Sequence, residues 1–158
     1  MRNVADILDT LPHDMTTPSL EDTPSIEYAV EHINAMDFSA LKGKLTQPDP
    51  TVSRLWESEE VDVAVQYYKN FLYLNKKYLD VAPVIVPSIE VDEVWHHHIL
   101  DTRRYFADTY QIFGYYFHHF PYFGMRGEAD HTNLVDCFEA TQQLHELEFG
   151  ERMRRIWA

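Results

Sequence analysis

Residues 87–124 read PSIEVDEVWHHHILDTRRYFADTYQIFGYYFHHFPYFG, and this stretch decides both the fold class and where to look for a site. It holds five of the nine histidines, in the clusters His96–His98 and His118–His119, among a dense set of aromatic residues. Imidazole is the commonest metal ligand in proteins and is suited to proton transfer near neutral pH. The stretch therefore indicates a site.

The same stretch predicts one long helix from Ser88 to Gly114, followed by a loop. Outward from it, apolar residues at helical spacing predict helices over 24–38, 58–79 and 132–149. Residues 42–50 predict a linker, and residues 81–87, broken by two prolines, predict a buried extended crossing. No stretch shows the alternation of apolar and polar residues with a period of two that is typical of a strand. The sequence therefore predicts an all-α helical bundle of about four to five helices with a histidine- and aromatic-rich loop.

The length and composition indicate a single globular domain. The chain has 158 residues, of which 45% are apolar, and its five glycines argue against a turn-rich β-sandwich. Residues 1–24 are polar, acidic and rich in proline, and they predict an irregular N-terminal arm. Residues 25–158 are predicted to form one helical domain.

The charge and the cysteine content exclude several classes of function. A formal net charge of −13 argues against nucleic acid or an anionic membrane surface as the main partner. The single cysteine, Cys137, allows neither an internal disulfide nor a CxxC zinc motif. The start of the chain lacks an apolar run long enough for a signal peptide or a membrane span. We therefore expect a cytoplasmic protein.

A helical wheel predicts which side chains of the histidine helix point inward. At about 100° per residue, Asp92 and His96 share a face with apolar residues further along the helix, including Phe106 and Tyr110. Both are therefore predicted to be buried, and His97 is predicted to lie in solvent. His98 falls about 160° from His96, so the HHH run cannot bind one metal from a straight helix.

The loop after Gly114 offers the missing ligand. Asp92 and His96 with His118 or His119 would form a histidine–carboxylate set that suits zinc, iron or manganese, and two histidines with one carboxylate suit ferrous iron. A di-iron site is weakly supported, because only one ExxH motif, ending at His96, is present. A straight helix from His96 to Gly114 would be about 27 Å long. The set therefore requires an early helix break, for example near residues 108–109, or a histidine from another chain of a homo-oligomer.

Two motifs carry a resemblance to a known family. The motifs are Val91–Leu100 (VDEVWHHHIL) and His118–Pro121 (HHFP), and with them the chain resembles the glycine-rich-domain-containing-protein-like family. The resemblance implies a helical domain without the glycine-rich segment and carries no activity. It implies a common pattern that includes His98 and leaves His97 variable. The candidate metal ligands are therefore Asp92, His96, His98, His118 and His119.

Three functions compete at this stage. The first is a metal-binding protein with a mononuclear iron or zinc site, serving oxidative or hydrolytic chemistry on a small molecule or peptide. The second is a metal-free binding or adaptor domain whose histidines are structural and whose acidic surface engages a partner. The third, metal-free acid–base catalysis by an Asp–His pair, is the least favoured, because no nucleophile stands out in the segment.

Overall fold

The computed structural model describes residues 23–52, 54–79 and 84–157, and these residues form an all-α helical bundle with no strand. The predicted fold class is thus confirmed. Most of the predicted N-terminal arm lies outside the described residues. The helices are α1 (Ile26–Ala35), α2 (Ser39–Leu45), α3 (Ser58–Lys77), α4 (Ile89–Leu100), α5 (Thr102–Phe113) and α6 (Glu128–Phe149).

Helix α3 is the centre of the bundle and contacts α1, α2, α4 and α6. It begins with a capping box, in which Glu57 and Glu60 satisfy each other's backbone N–H groups. Its buried side chains include Tyr68, Phe71 and Leu72, which pack with Val94 of α4 in one apolar core. This face fixes α4 against α3, so the histidines of α4 have defined positions.

The predicted linker over residues 42–50 was wrong at its start. Residues 42–50 were predicted as a linker, yet α2 covers Ser39–Leu45 and buries Leu45 fully. Burial of Leu45 against the core stabilises a short helix that its propensity alone would not hold, since Gly43 lies in its interior. Of the predicted crossing over 81–87, the structure describes residues 84–87, which form neither helix nor strand and bury Ile85 and Val86.

The predicted long helix over 88–114 is two helices, and this difference shapes the site. The chain breaks at Asp101, whose φ of −81° and ψ of 72° lie outside the helical region. In a straight helix the ten residues between His98 and Asp108 would span about 15 Å. Instead, His98 Nε2 lies 2.8 Å from Asp108 Oδ2, so α5 is folded sharply against α4.

The C-terminal tail closes the bundle beside the start of α4. After Gly150 ends α6 with a left-handed φ of 81°, the chain returns to the core. The backbone N–H groups of Ile156 and Trp157 donate to Glu90 Oε1, which gives this buried carboxylate its partners. Among the described helices, none combines the length and apolar character needed to cross a membrane.

Candidate metal centre

Three side chains from α4 and the following loop bring one potential ligand atom each to a common point. His119 Nε2 lies 2.7 Å from Asp92 Oδ1 and 3.0 Å from His96 Nε2. His96 Nε2 lies 3.2 Å from Asp92 Oδ2. The side chains are 34% exposed for Asp92, 44% for His96 and 12% for His119. We call these three residues the triad; their arrangement can hold a metal ion.

Hydrogen bonding alone does not satisfy this triad. Each imidazole Nε2 carries either one proton or one lone pair. If both histidines carry the Nε2 proton, both can donate to Asp92, but their N–H groups then face each other across 3.0 Å. If either Nε2 is unprotonated, its lone pair faces a carboxylate oxygen at 2.7 or 3.2 Å. A cation at the centre would give all three atoms a favourable partner.

The ligand atoms of the triad are close enough to share one ion. Asp92 meets the two histidines with different oxygens, Oδ1 toward His119 and Oδ2 toward His96. One ligand atom from each residue can be chosen so that all three lie within 4.8 Å of one another. This spacing suits three ligands of a single metal ion.

The break at Asp101 explains how a histidine of the loop after α5 comes close to His96. The site required an early helix break, for which residues 108–109 were one possible position, and the break lies seven residues earlier. Helix α5 ends at Gly114, which has a left-handed φ of 81°. The loop then returns along α4 and delivers His119 from the same chain.

Aromatic contacts and two hydrogen bonds hold this loop in place. Trp95 Nε1 donates to the Tyr105 hydroxyl at 2.9 Å, and that hydroxyl donates to the carbonyl of Phe117. The Phe117 ring stacks on Trp95 with centroids 5.2 Å apart. The centroids of the His119 and Trp95 rings lie 4.1 Å apart. Trp95 and Tyr105 therefore position His119 without ligating anything themselves.

The predicted orientation of the two neighbouring histidines was wrong. His97 is buried and lies 3.4 Å from Glu93, whereas His96 and Asp92 are half-exposed. The wheel was oriented with apolar residues that belong to α5, and Phe106 and Tyr110 are in fact 54% and 42% exposed. Once α4 is taken alone, its buried face centres on other residues, namely Val91, Val94, Trp95 and His98.

His98 and His118 do not reach the triad. His98 is buried, with Nδ1 2.7 Å from the Tyr68 hydroxyl and Nε2 bonded to Asp108. The other oxygen of Asp108 lies 2.9 Å from His32 Nε2. His118 is exposed and packs against the Tyr116 ring.

Sequence reasoning did not identify Asp108 as a partner of histidines. Burial alone would raise the pKa of the Asp108 carboxyl, but the hydrogen bonds from His98 and His32 outweigh it and hold the pKa below the usual 3.8. Asp108 therefore bridges α1, α4 and α5 as a carboxylate. No local pattern announces this role, because its partners lie 10 and 76 residues away.

A large groove lies beside the triad. Its volume is about 950 Å³, which is in the size range of small-molecule sites. Asp92 and His119 form part of its wall. Most of the remaining wall is aromatic or aliphatic and includes Trp95, Tyr110, Tyr115, Tyr116, Phe117 and Phe120. A molecule in the groove would lie next to two of the three ligand atoms.

Comparison with known proteins corrects the family assignment. No curated protein and no solved structure matches the chain. The resemblance to the glycine-rich-domain-containing-protein-like family was wrong, because the family model that matches, over residues 29–148, is the UCP032817-like one. That range includes α3, α4, α5, nearly all of α6 and the whole triad. The chain therefore belongs to the UCP032817-like family.

Proposed function

We propose that Asp92, His96 and His119 bind one divalent transition metal, iron or zinc, and that the protein uses it in chemistry on a small molecule or peptide. The observation that carries this proposal is the convergence of the three side chains. His119 Nε2 lies 2.7 Å from Asp92 Oδ1 and 3.0 Å from His96 Nε2, and His96 Nε2 lies 3.2 Å from Asp92 Oδ2. The half-exposed position of Asp92 and His96 leaves the centre accessible. No second chain is needed to complete the triad.

The donor set suits ferrous iron and zinc. Two histidines and one carboxylate with open positions are typical of non-haem iron centres, and some catalytic zinc sites use the same donors. Iron in this position would serve oxidative chemistry, whereas zinc would activate a water for hydrolysis. Asp92 contributes negative charge, and the two imidazoles bind as neutral donors through Nε2.

A metal-free binding or adaptor domain is the second candidate. The observation in its favour is the network of Tyr68, His98, Asp108 and His32, in which two histidines act only as hydrogen-bonding groups. The acidic surface, with a net charge of −13, suits a basic partner. The unsatisfied proton arrangement of the triad is the reason that we place this candidate second.

Metal content and metal titration separate the two candidates. Protein purified without a His-tag or chelator should contain about one equivalent of iron or zinc, measured by mass spectrometry. His119→Ala should lower the affinity for Fe²⁺ or Zn²⁺ by more than the roughly 10- to 100-fold effect that is usual for supporting residues. His118→Ala is the matched control, since it removes the neighbouring, exposed imidazole. Wild-type protein that takes up no metal, or equal losses in the two variants, would contradict the proposal.

A further inference from the structure

The chemistry of the groove wall narrows the class of molecule that can approach the triad. We infer that the groove binds an uncharged aromatic molecule and that, without a bound metal, it rejects carboxylates and phosphates; this inference rests on the proposed function. Among the described residues, the wall contains no lysine and no arginine, while Asp92 contributes a carboxylate. An anionic group would therefore be buried beside like charge and without a counter-ion.

One cation does approach the wall, but it is already neutralised. The guanidinium of Arg126 lies 4.7 Å from the centroid of the Phe120 ring. Two of its nitrogens donate to the two carboxylate oxygens of Asp130, at 3.2 and 3.0 Å. An anion in the groove would have to compete with this bidentate pair, which already has good geometry.

The wall also contains tyrosine hydroxyls, which are neutral polar groups. Burial raises the pKa of the Tyr115 phenol to about 12, so it stays protonated at physiological pH. Phenol hydroxyls such as this one can exchange hydrogen bonds with a hydroxyl or carbonyl of a bound molecule. Among the wall residues, Tyr110 is 42% exposed and Phe120 is partly exposed, so their rings offer contact surface for an aromatic molecule.

A cationic ligand is disfavoured once the metal is bound. Asp92 is the carboxylate of the triad, and a divalent ion there more than cancels its charge. A positively charged molecule in the groove would then meet a net positive centre. An uncharged molecule is repelled neither by the Asp92 carboxylate of the metal-free groove nor by the positive charge of the metal-bound centre.

Calorimetric titration with 1-naphthol and 1-naphthoate tests this inference on the full chain after removal of metal with a chelator. The two probes share the ring system and differ in charge, and without metal the carboxylate has no ion to ligate. We expect naphthol to bind at least about tenfold more tightly than naphthoate, a difference of about 1.4 kcal/mol. Ile89→Asp should weaken naphthol binding. Ile89 lines the groove, is 75% exposed and lies in the first turn of α4, where an acidic residue is tolerated.

Val135→Asp on α6 is the control, because Val135 is also exposed and does not line the groove. It should leave naphthol affinity unchanged. Equal or tighter binding of naphthoate, no binding of naphthol, or equal losses in the two variants would overturn the inference. The metal titration is read separately. A protein that binds naphthol in the groove but takes up no metal would refute the proposed function while the chemistry of the groove stands.

Discussion

His96 and His97 are adjacent in the chain but have opposite environments. His97 is buried near Glu93. The His96 side chain is 44% exposed, and its Nε2 lies close to the other two residues of the triad. A buried imidazole contributes packing and a polar contact to the stability of the fold. An exposed imidazole contributes little to the stability of the fold and is free to bind a metal.

Alanine substitutions at these two positions should therefore separate stability from metal binding. We expect His97→Ala to lower the free energy of unfolding by about 1–3 kcal/mol. His96→Ala should change it by less than about 0.5 kcal/mol in metal-free protein, yet abolish tight metal binding. Urea unfolding and metal titration of both variants check this. A larger loss of stability in His96→Ala would show that the assignment of roles is wrong.

Local sequence could suggest the ligand types but not the direction in which they point. The ligands Asp92 and His96 follow from their spacing of four residues, and the loop histidines follow from their position after Gly114. The choice of His119 over His118 depends on the contact of its ring with Trp95, which is a tertiary contact. The burial of His97 depends on where α4 ends, and that too is set by tertiary structure.

At the scale of elements, one hydroxyl group takes part in both hydrogen bonds that hold the loop after α5. The Tyr105 hydroxyl accepts from Trp95 and donates to the Phe117 carbonyl. Tyr105 is fully buried, and burial raises the pKa of its phenol, so it remains a donor. Removing this hydroxyl would leave a buried indole N–H and a carbonyl without their partner.

Tyr105→Phe should consequently weaken metal binding although Tyr105 is not a ligand. We expect a loss of roughly 10- to 100-fold in metal affinity, because the loop that carries His119 is less well positioned. Tyr116→Phe, the same change on a ring that packs against Tyr105, is the control. Metal titration of both variants decides the matter, and unchanged affinity in Tyr105→Phe would disprove a positioning role.

The break between α4 and α5 has no local signal. Residues 88–113 contain neither glycine nor proline, and the Asp101 side chain makes no capping hydrogen bond to α5. The break is instead stabilised by contacts of α5 with α1 and by the Asp108–His98 hydrogen bond. For this reason the sequence pattern predicted that residues of both α4 and α5 are helical but did not predict the break between them.

An isolated peptide of residues 88–114 should therefore form one continuous helix. In trifluoroethanol, which promotes helix beyond native content, we expect helical Cα chemical shifts through Asp101. In the intact protein Asp101 should have a non-helical shift, since its ψ is 72°. A peptide that keeps the break at Asp101 would show that the corner is encoded locally.

At the scale of the whole molecule, Asp108 couples three helices through charge. Its carboxyl has a folded pKa below the usual 3.8, so the folded state binds its proton less readily than the unfolded state. The resulting stability is fully present above about pH 4 to 5 and is lost as the pH falls through the folded pKa.

Asp108→Asn should remove this contribution. Near pH 7 we expect the variant to be less stable by about 2–3 kcal/mol, since hydrogen bonds to a charged group are lost. The difference from wild type should shrink as the pH falls below about 4. Urea unfolding of both proteins between pH 7 and pH 3 measures it. A difference that is constant over this range would mean that the Asp108 charge is unimportant.

The corner at Asp101 also determines where the chain can change its length. One residue added between Leu100 and Thr102 would rotate α5 by about 100° about its axis and swing Asp108 away from His98. The loop that carries His119 would be displaced with it. One residue added to the exposed turn at 47–51 would disturb neither. Aligned relatives should therefore show insertions and deletions in that turn, while the spacing from Asp92 to His119 is kept to the residue.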